Sequence, residues 1–378
     1  MRTYDYLIVG AGFFGSVLAE RIANDSRETV LVIDRRPHIG GNCYSEFDEE
    51  TGIEFHQYGT HIFHTSSQKV WQYITHFTEF NGYHHQVLTT HQNRVFQMPI
   101  NLETINTFYD LNLKPFEVED FLQAEIAKEG IVHPQNLEEK AISLIGRPLY
   151  EAFIREYTMK QWNRDPKELP ANIITRLPIR SSYNEDYFLD ARWQGIPLEG
   201  YTKVFERLLD SPNIHVETNC DYFTARTNFK YRKKLIYTGP LDRYFDYEYG
   251  PLEWRSIALS REVIPVADFQ GTSVMNYADL KAPYTRIHEP RHLHLERRYS
   301  KQKTLIFYET SKQAEEADPY YPINSDNNKK IVRYYKALAQ EDKNVIIGGR
   351  MGDYAYYDMD KTIAAALACY EKKIVNDE

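Results

Sequence analysis

The chain has 378 residues, a net charge of −9 and 42% hydrophobic residues, enough for two or three co-folded lobes but without the broad basic surface that nucleic acid needs. Cys43, Cys220 and Cys369 form no CxxC or disulfide pattern, which suits a reducing compartment. No apolar run approaches the roughly 18 residues of a membrane span and no cleavable leader pattern opens the chain, so a soluble cytoplasmic protein is expected.

The first elements form a βαβ unit. YLIVG (6–10) is a short apolar strand, SVLAERIA (16–23) has helical periodicity, and TVLVID (29–34) is a second strand ending in an acid. Continuous apolar strands imply a parallel sheet covered on both faces. Gly10, Gly12 and Gly15 make a GxGxxG turn in which phosphates meet backbone N–H groups and a helix N-terminus. Asp34 stands where a ribose hydroxyl would be bound. The spacing predicts dinucleotide binding. RRPHIGGN (35–42) follows at once, and its paired Gly40 and Gly41 suit a second crossing of the phosphates, favouring FAD over NAD.

From Glu103 to Trp162, apolar residues recur at i, i+3, i+4 and predict a helical lobe. NRDPKELPANIITRLPIR (163–180), with three prolines and no sustained period, predicts a long loop. Strands dominate after Asn213: IHVET, KLIYTG, SIALSREVI, SVMNYA, HLHLERR and TLIFYET, expected in a mixed or antiparallel sheet. NVIIGGR and the helix MDKTIAAALACYEKK close the chain, with a glycine-lined turn and a helix N-terminus suited to negative charge on a flavin ring. The expected class is α/β: a Rossmann-like FAD domain built from 1–100 and 341–378, a helical lobe over 101–175, and a sheet domain over 176–340 interleaved with FAD-domain strands. KYRKK (230–234) reads as a solvated hairpin edge. His292, His294 and Glu296 alternate along HLHLERR, but lack a further ligand, so no metal is expected. His84–His85 point to opposite faces if extended and carry still less of a metal signal.

Several segments go beyond a generic flavin fold. VGAGFFGSVLAE, RRPHIGGN, GTHIFHT, YTMKQW, ITRLPIR, YFLDARWQGIPLEGY, YTRIHEP, DPYYP and GGRMGDYAYYDMD resemble, in this order, the bacterial UDP-galactopyranose mutases. The resemblance runs from Tyr4 to about Leu367. It implies interconversion of UDP-galactopyranose and UDP-galactofuranose by reduced FAD, whose N5 attacks the anomeric carbon through a flavin–sugar iminium while UDP leaves and returns. It also implies a homodimer, an external reductant such as NAD(P)H or a flavin reductase, no membrane or nucleic-acid partner, and a supply of furanose to envelope polysaccharide.

The same resemblance assigns residues. Arg176 on the loop and Arg286 on the sheet are to clamp the diphosphate with planar guanidinium forks. Tyr187, Tyr320 and Tyr356 are to donate to the diphosphate or line the sugar pocket, with the Tyr320–Tyr321 doublet ambiguous. Phe153, Tyr157 and Trp162 are to pack around uracil, and Asn276 to contact uridine. His61 and His64 face the isoalloxazine, where His64 is to answer the charge of the reduced flavin. Gly10, Gly12, Phe14, Gly15, Asp34, Arg35, Gly41, Asn42, Arg255, Arg350, Tyr356 and Asp358 complete the expected FAD contacts. The chain departs from the family at Asn163 (glycine expected), Trp193 (tyrosine usual) and Thr60 (proline or alanine). Trp193 is expected to reshape the pocket. The alternatives are the same chemistry on UDP-N-acetylgalactosamine, a flavin oxidoreductase of the amine-oxidase type, and a non-catalytic UDP-sugar-binding protein.

Overall fold

The computed structural model describes residues 3–174, 177–314 and 319–376. Five strands form a parallel sheet in the order Val345–Ile347, Lys230–Tyr237, Thr3–Val9, Val30–Ile33, Ile214–Glu217. Alternation along these apolar strands divides them between two cores, because successive side chains leave opposite faces. Ile8, Val30, Val32, Ile236 and Ile346 pack under the helix Phe13–Arg21, while Leu7, Leu31, Ile33 and Leu235 fill the other face. The parallel strands end at Val9, Ile33, Tyr237 and Ile347, and so deliver Gly10, Asp34, Thr238 and Gly348 to one edge of the sheet. Ligands bind at this edge in open α/β sheets.

Seven strands form a second, mixed sheet in the order Tyr321–Pro322, Trp254–Ile264, Thr304–Gln313, Arg286–His288, Val274–Tyr277, Val87–His91, Arg94–Met98. Its pairs are antiparallel except Val274–Tyr277 with Val87–His91. The helical lobe stands beside it. Asn101 and Asn136 cap the helices Leu102–Tyr109 and Leu137–Ile145 by accepting from Thr104 N and Glu139 N at 2.9 Å each. Ile105, Leu122, Ile142, Leu149 and Phe153 fill the lobe's core.

Four expectations change. The hairpin 87–98 joins the mixed sheet, although it falls within the first hundred residues assigned to the nucleotide domain. IHVET and KLIYTG belong to the parallel sheet. KYRKK is therefore the exposed start of a parallel strand, paired there with Thr3–Tyr6 alone, whose later residues Leu235–Tyr237 are paired on both sides; it is not part of a hairpin. HLHLERR is no strand: Pro290–Leu293 is a short 3-10 turn, His292 meets Asp268 at 3.1 Å, and His294 is buried against Glu296 at 2.7 Å. Asp268, Glu289 and His292 do bring ligand atoms within 4.8 Å of one another. Glu289 already accepts from Phe269 N, Gln270 N and Thr304 Oγ1. No helix among the described residues is long and apolar enough to cross a membrane.

Candidate active site

A cavity of about 410 Å³ runs from the edge of the parallel sheet to the face of the mixed sheet. At the first end, backbone does the shaping. Gly10 has φ +111° and lies against Thr238, and a Cβ on Gly15 would overlap the Gly10 carbonyl oxygen. Gly40 N donates to Ala11 O at 2.9 Å, and a Cβ on Gly41 would stand 3.1 Å from Gly12 Cα. The two glycine turns anticipated from sequence therefore pack directly on each other. Asp34 accepts from Ala11 N at 2.8 Å and Arg36 N at 2.9 Å, so its carboxylate also braces both turns. The terminal turn at Gly348–Gly349 seats on the ring of Phe14, with Gly349 at φ +83°. Arg35, Asn42 and Asp358 line the same cavity.

At the other end, side chains do the work. Arg350 lies 5.0, 5.1 and 5.0 Å from the rings of Tyr320, Tyr321 and Tyr356, a cation enclosed by aromatic faces. Arg286 Nε donates to Asn276 Oδ1 at 3.1 Å, and its Nη1 lies 3.3 Å from Glu309 Oε1. Burial pushes the Glu309 carboxyl up, but Arg286 and His288 outweigh it and hold the group down at about 2. Tyr187 lines the cavity, 43% exposed. His64 stacks on Phe188 with centroids 3.7 Å apart, and its Nε2 lies 3.8 Å from Asp358. His61 is tied inward: Nδ1 to Gly59 O at 2.6 Å and Nε2 to the Tyr320 hydroxyl at 3.4 Å. Burial, with Arg350 adding to it, pushes His61 down to about 4 and keeps it neutral.

The structure redistributes several expected roles. The Tyr320 hydroxyl donates to Tyr58 O at 2.9 Å, whereas Tyr321 stacks on Tyr356 and interacts electrostatically with Arg286; both members of the doublet line the cavity. Phe153 does not line the cavity. It is 4% exposed and packs edge-on against Phe96, because a wide π turn at Glu151–Arg155 rotates the helix there. Tyr157, one turn on, is off the cavity lining too, but its hydroxyl reaches Arg286. Trp162 also lies off the cavity, and Arg255 serves structure: its Nη2 donates to Gln161 O at 2.8 Å and Ser311 Oγ at 2.7 Å. Asn276 holds Arg286 as well as lining the cavity. Trp193, expected to reshape the pocket, does not line the cavity and stacks on Trp71 at 5.6 Å and 6°. Asn163 caps its helix at φ +53°, a conformation asparagine tolerates nearly as glycine does. Arg176 lies outside the described residues.

Sequence reasoning missed His85, His288, Phe188 and Tyr222, all of which line the cavity. It also missed Lys160, whose Nζ donates to the carbonyls of Tyr277, Asp279, Ala282 and Tyr284 and pins the lobe to the sheet. Its place in YTMKQW beside aromatic positions was the available signal.

A family model described as UDP-galactopyranose mutase matches residues 152–356, and a NAD(P)-binding Rossmann-like model matches residues 8–77. The chain is 40% identical to a probable UDP-galactopyranose mutase of Klebsiella pneumoniae, over 97% of this chain and 94% of that one. It is 36% identical to a dTDP-fucopyranose mutase of Escherichia coli, over 98% and 99%. Among solved structures, a reduced UDP-galactopyranose mutase superposes with TM-score 0.76 at 13% identity, over 100% of this chain and 96% of that one. A redesigned putrescine oxidase shares the fold less closely, with TM-score 0.55 at 12% identity over 99% of each chain.

Proposed function

Since this chain belongs to the UDP-galactopyranose mutase family of isomerases, we propose that it interconverts the pyranose and furanose forms of UDP-galactose with bound, reduced FAD. The observation that carries this reading is the two-ended cavity: a glycine cradle shaped by backbone opens directly onto Arg286, Tyr321, Tyr356 and Arg350. The residues fit a flavin dinucleotide. Asn42 Oδ1 and Arg350 Nε are buried without a hydrogen-bond partner, and a Cβ at Gly10 would overlap Thr238 Oγ1 while one at Gly41 would press on Gly12, so the cradle keeps its shape only with glycine at both. Unpartnered buried polar atoms are costly unless a ligand engages them.

Reduced FAD, when bound, supplies a nucleophilic nitrogen for the anomeric carbon. The chain's own residues do the rest. Arg286, held on Asn276 and Glu309, presents a fixed positive charge to a diphosphate whose negative charge grows as it departs. Preorganisation of this kind needs no reorientation at the moment of reaction. Arg176 is proposed to meet the same diphosphate. Tyr187, Tyr321 and Tyr356 offer hydroxyls along the sugar's path, and the His64–Asp358 pair stands at the flavin side to place a proton. A homodimer, a cytoplasmic setting, an external reductant and supply of furanose to envelope polysaccharide belong to the same proposal.

The test is incubation of purified, flavin-loaded protein with UDP-galactofuranose, with and without dithionite, followed by chromatography. Conversion to the pyranose after reduction alone is expected. No conversion with intact flavin overturns the substrate assignment. The dTDP-fucopyranose mutase relative makes a dTDP-fucose sugar the second substrate to run, ahead of UDP-N-acetylgalactosamine. Steady oxygen consumption with an amine supports an oxidase instead.

A further inference from the structure

Arg286 and His288 are two residues apart on one strand, so the pleat places both on the same face. Glu309 on the neighbouring strand is the cross-strand partner of Arg286. Its carboxylate is thereby shared. Oε1 faces Arg286 Nη1 at 3.3 Å, and Oε2 faces His288 Nε2 at 2.9 Å. The second ring nitrogen of His288 lies 2.7 Å from Thr60 Oγ1, across 228 residues of chain. His288 and Glu309 are buried, at 4% and 6% exposure.

We propose that His288 is a positioning residue for the diphosphate arginine, held by Thr60 and acting through Glu309. The inference rests on the reading of Arg286 given above. The geometry dictates the direction of each bond. The carboxylate only accepts, so Nε2–H of His288 donates to it, and Nδ1 is left to pair with the Thr60 hydroxyl. With Oε2 engaged, Glu309 meets Arg286 through Oε1, which also accepts from Thr285 Oγ1 at 3.3 Å. Without His288, that buried oxygen has lost its donor, and a free carboxylate turns to take the guanidinium with both oxygens. Arg286 would then be drawn onto Glu309 and away from the cavity.

Thr60 adds a further link. It precedes His61 and shares a loop with His64, so the relay ties the proposed flavin-facing loop to the phosphate-binding arginine. Proline or alanine, which the resemblance leads one to expect at this position, has no hydroxyl to offer. The Thr60–His288 bond is thus a feature of this chain's own residues.

The experiment compares flavin-loaded wild type with His288→Leu, His288→Gln and Thr60→Val, measuring bound flavin, the Kd of UDP by equilibrium dialysis, and KM and kcat for UDP-galactofuranose. His288→Leu is expected to weaken UDP binding and raise KM about tenfold, equivalent to one lost buried hydrogen bond, with flavin content unchanged and kcat affected less. His288→Gln keeps a donor for Glu309 and is expected to recover most of that loss. Thr60→Val, nearly isosteric, is expected to weaken UDP binding about threefold, and it decides the matter if His288→Leu does not fold. Wild-type UDP affinity in both His288→Leu and Thr60→Val overturns the inference. So does a His288→Gln variant as weak as His288→Leu, since that would assign the effect to ring packing. A wild-type protein that binds neither UDP nor dTDP refutes the nucleotide-sugar reading itself, and the inference with it.

Discussion

At the glycine-lined end of the cavity, Gly10, Gly12, Gly15 and Gly41 lie within 31 residues of one another, and they pack by close approach of backbone, Gly12 on Gly41, Gly15 on the Gly10 carbonyl and Gly10 against Thr238. At the other end, Tyr157, Asn276, Arg286, Glu309, Tyr321 and Arg350 come from segments spread over nearly two hundred residues, and their contacts are side chain on side chain. A backbone cradle tolerates almost no added atom. A side-chain constellation tolerates volume changes but depends on each charge having its partner. Substitutions at the two ends should therefore fail differently.

The largest effect is expected at Gly15, where a Cβ meets the Gly10 carbonyl and stands 3.1 Å from Ile8 Cγ2. Gly15→Val should yield protein without bound flavin or little soluble protein, read from the ratio of visible to ultraviolet absorbance. Arg286→Ala should keep its flavin yet lose about a hundredfold or more in kcat/KM, the cost typical of removing one preorganised donor from a developing charge. A variant that loses flavin together with activity would erase the distinction between the two ends.

A smaller effect concerns acid. Burial pushes His56, His61 and His85 down to about 3, 4 and 3, so all three are neutral in the folded chain near pH 5. The unfolded chain takes up protons there, since an ordinary histidine titrates near 6.5. Stability is therefore lost as pH falls below about 6.5 and continues to fall towards about 4, by up to about 1.4 kcal/mol per pH unit for each group. Thermal unfolding from pH 7 to pH 5 should show this slope, and His85→Asn should make it shallower. An unchanged slope would place the proton uptake elsewhere. The smallest effect is expected from Trp193→Tyr. The indole stacks on Trp71 outside the cavity, so kcat/KM should stay within about twofold of wild type, as for other substitutions away from the reacting groups. A larger change would return Trp193 to the pocket.

The glycine end was legible in advance because a left-handed turn, a close backbone approach and a strand–turn–helix order leave local marks. GxGxxG, the GG pair and Asp34 all fell where the structure has them. The aromatic end was legible only through its family motifs, and those did not fix which side chains reach the cavity. Phe153 was expected at the cavity, but a π turn buries it in the lobe. The Tyr320–Tyr321 doublet was ambiguous in the motif; both line the cavity, and only the tertiary structure ties the Tyr320 hydroxyl to Tyr58 O and stacks Tyr321 on Tyr356.

The sequence by itself determined the βαβ start, the helical lobe, the return of the C-terminal strand to the first sheet and the presence of a dinucleotide cradle. These follow from local periodicity and from residues that alone can adopt the required backbone. Only the tertiary structure decided that the hairpin 87–98 joins the mixed sheet, that Lys160 clasps four carbonyls, and that Thr60 reaches His288. Such contacts join segments far apart in the chain, and their partners are set by strand register and by the need to satisfy buried polar atoms, neither of which is written in any short stretch of residues.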